Sequence, residues 1–368
     1  MTSQTPYLLA EHTTTRVGGP AAEAVLCRTH AEIVQALQQA DAAGKKILLV
    51  GGGSNLLVAD EPLEQTVIQL ANTGYDLGSV GLDGFELTAE PLEGEPDGER
   101  VLVRAQAGQN WDDFVAATVD AGLSGLEALS GIPGAVGATP VQNVGAYGAE
   151  VAHTLTRAHV YDRQERQQRW LSNDELEFSY RDSLIKRTTA TPGSPRYVVL
   201  EVEFQLVRDQ LSAPIQYAEL AKHLGVSVGE KALATHVRAI VLALRAGKGM
   251  VLADNDHDTW STGSFFTNPI VDEQTAASLP QDAPRFPASE GKVKLSAGWL
   301  IQHAGFEKGF KIGPNASLST KHTLALTNRG GASCAELIAL AKHVRNGVQE
   351  HFGITLVPEP LLIGCSLD

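Results

Sequence analysis

The sequence predicts an α+β protein built from two or three domains, and three observations carry that prediction. Its 368 residues are enough for more than one hydrophobic core. The first 70 residues read as a strand–helix–strand unit, whereas helices return after about residue 211 in a second mixed region. Between them, residues 122–151 carry seven glycines and two prolines yet remain too apolar for a linker. A hydrophobic content of 43% and a charged content of 20% fit an ordinary globular chain.

Thr29 and Glu32 form a capping-box pattern, followed at helical spacing by Ile33, Val34, Leu37 and Ala40 and stopped by Gly44. "KKILLV", "NLLV" and "TVIQL" are short apolar runs of strand length. The stretch from 71 to 100 turns to Gly, Asp and Glu, which predicts weak hairpin strands around a solvated acidic loop. "VLVRAQAG" resumes a strand, and Asn110 caps a helix through "WDDFVAATVDAG". Residues 122–151 then predict an irregular segment held in the core, the kind of chain that wraps a ligand. Strands follow at "RAHVYDR", "RQQRWL" and "RYVVLEVEFQLV", with a short helix capped by Ser172 and Glu175. "APIQYAELAKHLG" and "KALATHVRAIVLALRAGKG" read as helices. The remainder consists of "KLSAGWLIQHAGF", a predicted strand at "LALTN", a long helix capped by Ser333 and Glu336 and ended by Gly353, and "ITLVPEPLLIG", in which an apolar strand follows Glu359.

A formal net charge of -14 argues against general nucleic-acid or membrane-surface binding, so an anionic substrate would need a local basic site. The start "MTSQTPYLLAEHTTTRVGG" has neither the basic nor the apolar region of a signal peptide, and no run approaches the ~20 apolar residues of a membrane span. Cys27, Cys334 and Cys365 are far apart and lack a CxxC pair, which predicts reduced thiols in a cytoplasmic protein. The histidines are scattered without HExxH, so no metal is expected.

Four short segments place chemistry-bearing residues where a core would not want them. "GGGSNLL" follows an apolar run, as a phosphate-receiving loop does, but it lacks the lysine of a Walker loop and opens a strand instead of a Rossmann helix. In "FSYRDS", Arg181 beside Tyr180 either points into a cleft to grip a carboxylate or pairs with Asp182 at the surface; spacing alone does not separate the two. In "DTWSTGSFFTNP", Ser264 has no neighbouring base and reads either as a tuned proton donor or as a turn serine beside two core phenylalanines. In "VPEPLLIG", Glu359 is a carboxylate in stiff, apolar surroundings that suit general acid work, or a solvated strand-edge residue. The alternation Asp254, Asp256, Asp258 imitates a calcium loop, but Thr259 and Phe265 stand where that loop needs glycine and glutamate, so calcium is rejected.

Taken together, "TRVGGPA", "GGGSNLL", the whole of residues 122–151, "YRDS", "GSFFTNP", "KLSAGWLI" and "PEP…IG" resemble, in order, the UDP-N-acetylenolpyruvoylglucosamine reductase family. The resemblance runs from Thr14 to Gly364. It implies an FAD-binding domain of the p-cresol methylhydroxylase/vanillyl-alcohol-oxidase type in two α/β parts, residues 1–70 and 71–210, with residues 354–368 returning to the latter. An α+β substrate-binding domain would occupy residues 211–353. It further implies that Gly51, Gly52, Gly53, Ser54, Asn55 and Leu56 receive the pyrophosphate of non-covalent FAD. Gly131, Ile132, Pro133, Gly134, Gly137, Asn143, Gly145, Ala146 and Tyr147 would line the flavin.

The implied reaction uses NADPH as co-substrate to reduce the enolpyruvyl ether of UDP-N-acetylglucosamine to UDP-N-acetylmuramate, in peptidoglycan precursor synthesis. By the same resemblance, Arg181 stabilises charge on the substrate carboxylate, Glu359 assists that intermediate, and Ser264 supplies a proton. Tyr180, Tyr217, Lys248 and Asn268 would bind the UDP-sugar, and the protein would act as a cytoplasmic monomer. Two other readings compete. An oxidase of the same fold often tethers its flavin through His or Cys, and residues 122–151 contain neither. A nucleotide-sugar binding module would carry no flavin.

Overall fold

The computed structural model describes residues 7–78, 99–288 and 291–368. The hairpin expected in the acidic stretch falls mainly on residues 79–98 and lies outside them. The chain divides into two compact units. The first is Met1–Ala22, Gly53–Glu64 and Gly247–Asp368, and the second is Glu23–Gly52 and Gln65–Ala246.

In the second unit, the capping box forms as expected: Thr29 accepts from the Glu32 backbone, Glu32 returns the bond, and His30–Ala42 is helical. Gly44, at φ 63, provides the left-handed exit. Ile33, Leu37 and Ala40 are buried by this helix. Strand Ile47–Val50 runs parallel to Leu63–Leu70, with Ile47 opposite Thr66, and a helix-length connection is what a parallel pair requires.

The larger sheet of this unit is antiparallel, with neighbouring strands Gln167–Ser172, Leu155–Asp162, Tyr197–Arg208 and Glu99–Gln106. The period of two sorts its faces. Val202, Phe204 and Leu206 lie beside Ala105, Val103 and Val101, all buried, and this core includes Trp111 and Phe114 of helix Trp111–Asp120. Asn110 caps that helix by accepting from Asp113. The alternate positions are polar: Glu203, 4% exposed in its side chain, binds Arg104 at 2.7 Å and Arg157 at 2.8 Å.

The first unit packs helices Ala297–His303 and Cys334–Phe352 into one core with Phe265, Phe266 and Leu318. Ser333 and Glu336 form the expected capping box, and Gly353 at φ 70 ends the long helix. The closing strand Leu361–Ile363 pairs in parallel with Leu56–Val58. It thereby meets the outgoing strand of "GGGSNLL".

Glu203 yields a test of the sheet. Burial works to raise its pKa, but hydrogen bonds from Arg157, Arg104 and Thr156 outweigh it and leave the carboxyl below its ordinary value. A depressed carboxylate stabilises the fold above the unfolded-state pKa, and that contribution disappears as pH falls through the folded value. Glu203→Gln is expected to destabilise by no more than about 3 kcal/mol at neutral pH, since both arginines are partly solvated. Thermal melts between about pH 3 and 7 should show a shallower acid limb for the variant than for the parent.

Candidate active site

In the second unit, the ends of two glycine-rich stretches lie back to back. A Cβ on Gly52 would fall 2.6 Å from Gly134 Cα, and one on Gly51 would meet the Ala135 Cβ at 3.3 Å. A Cβ on Gly137 would fall 2.5 Å from that of Ala107. Trp111 N–H donates to the Gly134 carbonyl at 3.0 Å, and Gly131 N–H donates to Asp112 Oδ1 at 2.6 Å. Gly131 itself has φ +71. These glycines are required first by loop-on-loop packing, which brings bare main chain into one layer where a phosphate or flat ring can be received.

Asp182 pairs with Arg187 at 2.5 Å, while Arg181 donates through Nη2 to the Gly145 carbonyl at 2.7 Å and through Nη1 to the Asn143 carbonyl at 3.3 Å. The guanidinium thus lies along residues 143–145, over the ring of Tyr180 at 5.5 Å. Its backbone has φ 54, as do Asn143 and Tyr147 near that value, so this stretch is held in a conformation that L-residues adopt only under local constraint. The Asn143 side chain is fully engaged: it donates to Glu150 and Ser179 and accepts from Ala152 N–H. Ala146 pairs with Ala149 in a tight hairpin that follows it. The Tyr147 ring meets the half-exposed Tyr217 edge-on at 5.6 Å, so two of the expected ligand-facing tyrosines stand together.

In the first unit, a run of backbone hydrogen bonds gathers Ser264, Glu359 and Asn55. Glu359 N–H donates to the Phe265 carbonyl at 2.8 Å, and Thr267 N–H donates to the Val357 carbonyl at 3.0 Å. Leu361 N–H donates to the Asn55 carbonyl at 2.9 Å, and the Asn55 amide donates back to the Glu359 carbonyl at 3.4 Å. Ser264 directly precedes this pairing and is half-buried, as is Glu359. Thr14 closes the arrangement by donating to the Ser261 carbonyl at 2.7 Å, while its N–H reaches the Gly53 carbonyl. Gly53, at φ +62, has no room for a side chain, because a Cβ would fall 1.8 Å from the His12 carbonyl oxygen.

Basic side chains also gather around His322 in the first unit. Burial first, then the charges of Lys248 and Lys308, lowers the His322 pKa to about 4. The imidazole is consequently neutral at neutral pH, beside two ammonium groups. Asn268 accepts from Ala297 N–H at 2.9 Å, at the start of helix Ala297–His303. Among the described residues, no group of three His, Cys, Asp or Glu side chains is placed to hold a metal. The alternating acidic residues near 256 have other partners: Asp254 pairs with Arg16, and Asp256 with Lys321 at 2.6 Å.

Two family models match the chain. One, described as an FAD binding domain, covers residues 21–169, and the other, described as the C-terminal domain of UDP-N-acetylenolpyruvoylglucosamine reductase, covers residues 255–363. A UDP-N-acetylenolpyruvoylglucosamine reductase from Cutibacterium acnes is 48% identical over 361 residues, spanning 98% of this chain and 90% of the relative. The protein of the same name from Mycobacterium avium is 50% identical over 374 residues, spanning 98% and 95%. The chain belongs to the UDP-N-acetylenolpyruvoylglucosamine reductase family. Among solved structures, the family member from Thermus caldophilus aligns over 97% of both chains with a TM-score of 0.61 and 25% identity.

The glycine layer of this reductase-family chain fits a resident FAD, since bare backbone converges there beside a buried cation that sequence reading missed. Arg245 is 8% exposed, and its side chain lies 3.4 Å from the position of a Cβ on Gly131. Burial pulls its pKa down, countered by Tyr147 and Asp112. Asp112 is already engaged by Arg238 at 2.5 and 3.0 Å. Such a cation suits an electron-rich ring placed against the same loop. His322 and Lys308 were missed as well; their only signal was a basic residue next to a turn, which is common at any surface.

Gly52→Ala should test the layer. The added Cβ must displace Gly134, so the purified variant is expected to carry less FAD per chain than the parent, read as the ratio of visible flavin absorbance to protein absorbance. Gly247→Ala, where nothing lies within 4 Å, should keep the parent ratio.

Proposed function

We propose that this chain uses NADPH to reduce the enolpyruvyl ether of UDP-N-acetylglucosamine to UDP-N-acetylmuramate, a step of peptidoglycan precursor synthesis. The observation that carries the reading is the backbone pairing that sets Ser264 and Glu359 on adjoining segments, with Asn55 of the glycine loop beside them. In this reading, residues 1–70 and 71–210 hold FAD and residues 211–353 bind the sugar nucleotide. When bound, FAD supplies the chemistry of accepting a hydride from NADPH and passing one to the terminal vinyl carbon of the substrate.

The chain's own residues manage charge and the proton. Hydride arrival at the vinyl carbon leaves negative charge on the second carbon and its carboxylate. Arg181, held along the Gly145 carbonyl, stabilises the charge on that carboxylate. Ser264 donates a proton to the second carbon; a hydroxyl is a weak acid, but an enolate is a strong base and the half-buried setting limits water. Glu359 helps to stabilise or protonate the same intermediate. Lys248 neutralises diphosphate charge in the basic neighbourhood around His322, which reconciles an anionic substrate with a net charge of -14. Tyr180, Tyr217 and Asn268 complete the sugar-nucleotide contacts. We further propose that the protein works as a monomer in the cytoplasm; among the described residues, no helix is long and apolar enough to cross a membrane.

Stopped-flow measurement of the two half-reactions tests the roles. Ser264→Ala should leave flavin reduction by NADPH within about twofold of the parent, while substrate-driven reoxidation slows by on the order of a hundredfold or more. Equal slowing of both halves would remove Ser264 from the proton transfer. Arg181→Lys should show the same asymmetry, because a point charge does not reproduce a bidentate fork.

A further inference from the structure

The alternating acidic stretch that imitates a calcium loop has a different use, and it centres on Asp258. This residue is 5% exposed and lies in the short 3-10 turn His257–Thr259, six residues before Ser264. Its carboxylate accepts hydrogen bonds from outside that turn, among them from Thr320 N–H at 2.8 Å, from the Thr320 hydroxyl at 2.6 Å, and from Arg329 at 2.9 Å. Burial opposes its charge, and Thr320, Ser319 and Arg329 more than compensate, so the carboxyl stays below its ordinary pKa. Asp256 orders the turn from behind by accepting from Asp258 N–H at 3.0 Å, and it pairs with Lys321 on the same opposing segment. Beyond Ser264, Phe265 N–H donates to the Leu324 carbonyl at 2.8 Å.

The loop bearing Ser264 is therefore fastened at both ends to one segment, residues 320–324, which also carries His322. A third segment joins at the same point. Gly249, directly after Lys248, has φ +68, and a Cβ there would fall 2.9 Å from the Asp258 carbonyl oxygen. We infer that Asp258 is a positioning residue that fixes the Ser264 loop against residues 320–324, so that the serine hydroxyl is presented in one orientation to the substrate. This inference rests on the proposed role of Ser264. It assigns to Asp258 no contact with substrate or flavin.

Proton transfer is sensitive to small displacements, so loss of this anchor should appear in the step that uses Ser264. In Asp258→Ala, reoxidation of the reduced flavin by saturating substrate, expressed per bound flavin, is expected to slow by on the order of tenfold or more. Flavin reduction by NADPH should stay within about twofold, and Asp258→Asn, which keeps the shape and part of the acceptor set, should recover most of the loss. The double variant Asp258→Ala/Ser264→Ala should be no slower than Ser264→Ala alone beyond about twofold, because two changes acting through one group are not additive. Thr320→Val removes only the 2.6 Å hydroxyl bond and should show a milder form of the same asymmetry, which keeps the test available should Asp258→Ala fail to fold. Parent-like reoxidation per flavin in Asp258→Ala or, failing that protein, in Thr320→Val would overturn the inference. So would equal slowing of both half-reactions, or losses that multiply in the double variant. Those outcomes leave the Ser264 assignment standing. A Ser264→Ala single variant with parent-like reoxidation overturns that assignment instead, and with it the positioning claim.

Discussion

The short backbone ladder through Val357, Glu359 and Leu361 is the constraint on which the first unit depends. On one side it pairs with Phe265 and Thr267, and on the other with Asn55 and the strand Leu56–Val58. Because these are main-chain bonds, side-chain identity hardly enters them; what matters is that the chain arrives extended and stays so. Prolines at 358 and 360 secure that, since each fixes its own φ and biases the residue before it toward extended backbone. Glu359 is thus held between two rigid neighbours. Bonds of this kind contribute only about 1 kcal/mol each to stability, so their larger effect is on geometry.

Glycine has a related part in the second unit. The expectation was that glycines at 51–53 and 131–137 let the main chain approach a ligand, and that role remains attached to the proposed function. The structure adds a prior steric reason for Gly52 and Gly137: each faces another stretch of backbone or a Cβ too closely for any side chain. The loops must first fit one another before they can offer their N–H groups to a phosphate. A sequence shows the glycines but not which surface they are pressed against. That is why the motif in isolation was compatible with several nucleotides.

Much of the architecture was legible because local rules and the final fold agree. The capping boxes at Thr29–Glu32, Ser172–Glu175 and Ser333–Glu336 all form, and the strands "KKILLV" and "RYVVLEVEFQLV" lie where their apolar runs place them. Pairing partners were not legible. Nothing in "PLLIG" states that it will lie beside "LLV" some 300 residues earlier, since a three-residue parallel pair has no pattern of its own. The same holds for the candidate site. Arg181, Ser264 and Glu359 stood out through motif context, whereas Arg245, His322 and Asp258 gain their character from burial and from neighbours distant in sequence. The carboxylates around 256 were visible, but their partners, Lys321, Thr320 and Arg329, were not.

The central claim is that the glycine layer holds FAD and that the Ser264–Glu359 side of the chain lets an enolpyruvyl sugar nucleotide draw electrons from it. The visible spectrum of the purified protein, followed during stepwise anaerobic addition of NADPH and then of enolpyruvyl-UDP-N-acetylglucosamine, tests this most directly. The expected result is a bound-flavin band that bleaches with stoichiometric NADPH and returns with stoichiometric substrate in the absence of oxygen, yielding UDP-N-acetylmuramate. A colourless protein, or a reduced flavin that only oxygen restores, would contradict it.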